Sequence, residues 1–91
     1  MFYIYILHSG KDGKLYTGYT PDLKNRMKAH EGGYVSATKD RRPLKLIHYE
    51  AFLEEKDAKQ RETFLKGGNG KKEIKAMLNE YFRKHKWMID K

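Results

Sequence analysis

Two aromatic and β-branched runs, residues 2–8 and 14–20, are separated only by Ser9, Gly10, Lys11, Asp12 and Gly13, all turn-forming residues. Runs of this composition favour strands, and so short a polar connection pairs them as an antiparallel hairpin. The two-residue period of a strand puts Tyr3, Tyr5 and Leu7 on one face and Phe2, Ile4 and Ile6 on the other. Neither face is polar. A free two-stranded ribbon cannot bury both, so the hairpin is expected to belong to a sheet with helices packed on it.

The rest of the chain supplies those helices and a third strand. Thr20, Pro21 and Asp22 form a helix start: a capping hydroxyl, a proline whose missing amide hydrogen costs nothing there, and an acid at the positive end of the helix dipole. That helix should run to about His30, with Leu23, Met27 and His30 inward and Arg26 beside them, and end at Gly32-Gly33. Residues 34–43 lack periodicity and read as a mobile loop. Residues 44–52 read as a strand, and residues 54–66 as a helix closed by Gly67 in the left-handed conformation. Gly67 to Gly70 then reads as a flexible break. A basic C-terminal helix follows over about 71–84, with Ile74, Met77, Leu78, Tyr81 and Phe82 at helical spacing. The expected architecture is α/β, a small three-stranded antiparallel sheet flanked by helices, in one domain over residues 1–91.

Charge narrows the partner. The chain of 91 residues carries a net +8, about +3 in residues 1–30, zero in 31–62 and about +5 in 63–91. Clustered Lys and Arg favour a polyanion through counterion release. Nucleic acid fits better than a membrane, because no apolar run approaches the roughly 20 residues that span a bilayer. With no cysteine, disulfides and thiolate zinc sites are excluded. The N-terminus lacks the basic leader of a secretory signal, so a cytoplasmic protein is expected.

A few side chains stand out chemically. Glu62 interrupts an otherwise apolar helical stripe formed with Ala58 and Leu65. Burying an unpaired carboxylate is costly. Either a hard cation such as Mg2+ or Mn2+ relieves that cost, or an ion pair to Arg61, Lys66 or Arg26 does. Arg26 is placed to meet a phosphate in a bidentate manner, or is an ordinary solvated helix arginine. His30 either orients a phenol or water or is a satisfied core residue. Tyr5 and Tyr16, on adjacent strands, either converge on one cleft or form a cross-strand core pair. Gly18 leaves the backbone open to a substrate or to a packed helix. Lys66 is a cation near these groups, and Lys71, Lys72, Lys75, Arg83, Lys84 and Lys86 form a basic set suited to a nucleic-acid backbone or to a solvated face.

The ordered set Tyr3-Ile4-Tyr5, Tyr16-Thr17-Gly18, Arg26, His30 and Glu62 resembles the GIY-YIG nuclease family over roughly residues 2–70. Tyr3 stands where the first motif has glycine, and Thr17 where the second has isoleucine; neither change removes a reacting group. The family's later asparagine has no clear counterpart, Asn69 and Asn79 both being candidates. The resemblance implies a divalent-metal-dependent endonuclease acting on nucleic acid, DNA in preference to RNA, with Tyr5, Tyr16, Arg26, His30 and Glu62 catalytic and Glu62 holding Mg2+ or Mn2+. Gly18, Lys66, Lys71 and Lys72 would contact the nucleic acid. A chain this short leaves no room for the second domain that selects sites in larger relatives, so low sequence specificity, or direction by a targeting partner protein, is expected. The alternative is a non-catalytic nucleic-acid-binding module on the same fold.

Overall fold

The computed structural model describes residues 1–85. Strands β1 (Phe2–Ser9), β2 (Leu15–Thr20) and β3 (Leu44–Phe52) form one antiparallel sheet in the order β2-β1-β3. The hairpin pairs Tyr5 with Gly18 and Leu7 with Tyr16, while β3 pairs along the other side of β1 with an irregularity between Ile6 and Leu7. Helices α1 (Leu23–Gly32), α2 (Glu55–Lys66), α3 (Gly68–Met77) and α4 (Asn79–Lys84) surround it. The expected sheet and its flanking helices are thus present.

Both faces of β1 are covered, as the missing polar face requires. Ile4 and Ile6 form the apolar core with Ala58 and Leu65 of α2, Ile74 of α3 and Phe82 of α4. Burial of each large apolar side chain stabilises the fold by about 1.5–3 kcal/mol. Arg61 fastens this layer from outside, holding Glu50 of β3 at 2.9 Å and Glu73 of α3 at 2.5 Å. The opposite face of β1 carries Tyr5, which packs on His30 of α1.

Local chemistry shifts several expected boundaries. Asp22, rather than Thr20, caps α1, its carboxylate accepting the amide of Asn25 at 3.2 Å. Thr20 instead braces the strand-to-helix turn, accepting the Asp22 amide at 3.0 Å. Gly33 ends α1 in the left-handed conformation at φ 82°. Gly67 is extended rather than left-handed, because α3 begins at the next residue and Gly67 serves as the joint between two helices. Gly70 belongs to α3 and is buried; a Cβ there would overlap the Phe64 carbonyl oxygen and Leu65 Cα, so this glycine lets α3 press on the end of α2. The expected helix over 71–84 is two helices broken at Leu78, whose dihedrals of −110° and 29° are not helical. That break leaves Met77 exposed while Phe82 turns inward.

The segment after α1, expected to be a mobile loop, is anchored at several points. It contains a 3₁₀ turn, Lys39–Arg41, whose Arg41 pairs with Asp12 at 2.8 Å and accepts the Ser9 hydroxyl on its carbonyl at 2.6 Å. Its Thr38 is fully buried. Lys86, from the basic set, lies outside the described residues.

Candidate active site

The site begins with the pairing of Tyr5 and Gly18 across the hairpin. A Cβ at Gly18 would overlap Tyr5 Cζ and the phenol oxygen, so the bare glycine is what lets the Tyr5 ring lie across β2. The space over Gly18 is therefore filled by a phenol, not by a helix. The Tyr5 hydroxyl is hydrogen-bonded to His30 Nε2 at 2.8 Å, and His30 Nδ1 to the Thr38 hydroxyl at 2.7 Å. All three residues are at most 2% exposed.

Neutral imidazole has one N–H, so the chain is directional: when Nδ1–H donates to Thr38, Nε2 accepts from Tyr5, and the other tautomer reverses both bonds. Burial, aided by the Arg26 charge, keeps the His30 pKa below the ordinary value of 6.5. Burial, followed by the neighbouring Tyr16, pushes the Tyr5 phenol well above its ordinary value of 10. Arg26 opposes that rise and Glu62 adds to it, so both charges act on the same phenol.

Tyr16 completes a cluster of three rings, its centroid 6.3 Å from Tyr5 and 5.6 Å from His30. Unlike Tyr5 it is only half-buried. Arg26 is half-buried on α1 and differs from every other arginine in the chain. Arg41 pairs with Asp12, Arg42 with backbone carbonyls, Arg61 with two glutamates and Arg83 with Glu80. Among the described residues the Arg26 guanidinium has no hydrogen-bond or ion-pair partner, which leaves its fork of donors available to an anion.

Glu62 is half-buried on α2 and pairs with Lys66 at 3.0 Å, one of the ion pairs considered from sequence. The lysine side chain is about half-exposed, so the pair is solvent-screened and easily exchanged. Among the described residues no group of three or more His, Cys, Asp or Glu could hold a metal. The donor set is thus one carboxylate, which fits Mg2+ or Mn2+ completed by waters and substrate phosphate and does not fit an all-protein cage. Lys66 and Lys71 are exposed beside a groove at the start of β2; Lys72 is exposed but outside that groove.

The structure therefore gathers Tyr5, Tyr16, Gly18, Arg26 and His30 and brings the Glu62 charge to bear on the same phenol. Thr38 is the residue that sequence reasoning misses. It lies in an aperiodic, charged loop, with no local signal that its hydroxyl turns inward to His30.

Residues 1–75 match the family of GIY-YIG catalytic domains, and the chain belongs to that family. Its relatives are small proteins designated UPF0213, a designation that assigns no activity. One from Clostridium perfringens is 43% identical over 67 residues, covering 72% of this chain and 71% of the relative. One from Pediococcus acidilactici is 40% identical over 82 residues, covering 86% and 82%. A third, from Staphylococcus saprophyticus, is 40% identical over 76 residues, covering 82% and 92%. No solved structure matches the chain. Family membership points to a nuclease with a nucleic-acid substrate and, as is general in the family, a divalent metal. Among the described residues no helix is long and apolar enough to cross a membrane.

Proposed function

We propose that this chain is a one-domain, cytoplasmic, metal-dependent endonuclease that hydrolyses nucleic-acid phosphodiesters, DNA in preference to RNA, with low sequence specificity. The observation that carries the reading is Arg26: a half-buried guanidinium without a protein acceptor, beside a buried hydrogen-bonded phenol. Holding a cation there without a partner is unfavourable, and an incoming phosphate relieves that cost.

In this reading each side chain has a distinct task. Tyr5 stays protonated at neutral pH, since burial raises its pKa, and serves to fix the geometry of the ring cluster through His30 and Thr38. Tyr16, the more accessible phenol, takes the proton of the attacking water on its oxygen while its own hydroxyl proton passes to solvent. The water oxygen bonds to phosphorus as the bond to the leaving sugar oxygen breaks, and Arg26 stabilises the charge that builds on the non-bridging oxygens. Glu62 would hold Mg2+ or Mn2+ in exchange for Lys66, and the ion would supply Lewis-acid stabilisation of the leaving oxygen. Thr38 acts as a positioning residue, fixing the His30 ring and through it Tyr5.

The test is cleavage of labelled single-stranded, duplex and branched DNA and RNA with Mg2+ or Mn2+, by native protein and by folded Arg26→Ala and Glu62→Ala. Loss of cutting in both variants supports the assignment. Native protein that binds the panel and leaves it intact would favour a non-catalytic binding module instead.

A further inference from the structure

A groove of about 560 Å³ lies between the beginning of β2 and the α2–α3 corner, bordered by Tyr16. Among the described residues its rim carries four lysines: Lys14 from the hairpin, Lys66 at the end of α2, and Lys71 and Lys75 one turn apart on α3. Its floor is apolar and includes Leu65, Ile74 and Phe82, residues whose inner sides build the core. Among the described residues no acidic side chain lines it, although Glu62 is paired to Lys66 at one end. The volume falls within the range of sites for small organic groups.

We infer that this groove holds an unpaired nucleotide of the substrate strand, its base against the apolar floor and its phosphates on the lysine rim. The inference rests on the nuclease reading and names the substrate class for the same site: nucleic acid with a single-stranded stretch at the point of cleavage. The combination of surfaces decides between substrates. A duplex keeps its base faces stacked inside and offers a protein chiefly phosphates, sugars and base edges, so an apolar floor gains little from it. An unpaired nucleotide presents a charged backbone and a free base face together, which match the rim and the floor. Adjacency to Tyr16 sets this nucleotide beside the ring cluster.

The experiment is equilibrium binding by the full chain, with chelator present so that nothing is cut. The probes are a fluorescent oligodeoxythymidylate and a hairpin duplex with the same number of phosphates, each across a salt series. The expected result is single-strand binding at least about tenfold tighter than duplex binding, equivalent to roughly 1.4 kcal/mol. Lys71→Ala/Lys75→Ala should weaken it and lower the magnitude of the salt slope by roughly 1.4, given about 0.7 per phosphate contact in single strands. Lys39→Ala/Lys56→Ala, which removes equal charge from exposed positions outside the groove, should leave the slope unchanged. The Ile74 methyl NMR signals should move with the oligonucleotide and stay fixed with the duplex. Equal affinity for both probes, equal weakening by the two double variants, unmoved Ile74 signals, or displacement of the oligonucleotide by polyglutamate of matching charge would overturn the inference. Binding as expected by a protein that fails to cut with metal would overturn the nuclease reading alone.

Discussion

The two faces of β1 solve the problem of burial in different ways. On one, Ile4 and Ile6 pack against Ala58, Leu65, Ile74 and Phe82 from three helices, and these contacts contribute through exclusion of water. On the other, Tyr5 is equally buried but is joined to His30 and Thr38 by directional bonds, with the charges of Arg26 and Glu62 acting on it. Apolar packing tolerates swaps that conserve volume but not deletions, whereas a buried polar chain fails when a member of the same shape loses its hydrogen-bonding group. A strand of eight residues thus carries an apolar layer and a hydrogen-bonded polar layer at once, and the two should fail separately.

The largest expected break of that symmetry comes from the apolar side. Ile6→Ala should lower unfolding free energy by about 2–5 kcal/mol. Chemical denaturation would measure the loss, and the cleavage rate per folded molecule should change little. A smaller effect comes from the polar side. Thr38→Val keeps the shape but strips His30 Nδ1 of its partner, and should cost about 1–3 kcal/mol of stability. Here the rate per folded molecule should fall as well, with Thr38→Ser restoring both; a rate unchanged in the valine variant would reduce Thr38 to a structural contact.

The mildest perturbation is acid. His30 and His8 both have folded pKa values below 6.5, burial being the first cause in each case. The unfolded chain therefore binds protons that the folded chain refuses, so the stability due to these groups is complete above about pH 6.5 and is lost as pH falls toward the folded values. The melting temperature should decline as the pH drops below 6.5, less steeply in His30→Gln. A melting temperature flat from pH 7 to 5 would contradict the buried neutral state of both rings.

Periodicity made most of the framework legible. Alternation in the hairpin separated Ile4 and Ile6 from Tyr5, the run over 44–52 marked β3, and the helical spacing of Ala58, Glu62 and Leu65 marked α2. The glycines misled, because Gly67 to Gly70 resembles a loop by composition, while the role of Gly70 is to allow close approach between two helices. Leu78 gave no sign of the break between α3 and α4, which depends on turning Phe82 into the core. At the site, Tyr5, Tyr16, Gly18, Arg26, His30 and Glu62 were legible through their order in the chain. Neither the use of Gly18 to admit the Tyr5 ring nor the hydroxyl of Thr38 behind His30 was, since each depends on a contact between segments that no local pattern encodes.

In the proposed reading the polar face does chemistry that the apolar face does not need. That reading is tested most directly by measuring the single-turnover cleavage rate and the unfolding free energy on the same preparation of Arg26→Ala. The expected result is a rate lower by about 10²–10³, as for removal of one donor to a developing oxyanion, with stability within about 0.5 kcal/mol of native. A native rate in that variant, or a rate that falls only in proportion to unfolded protein, would contradict it.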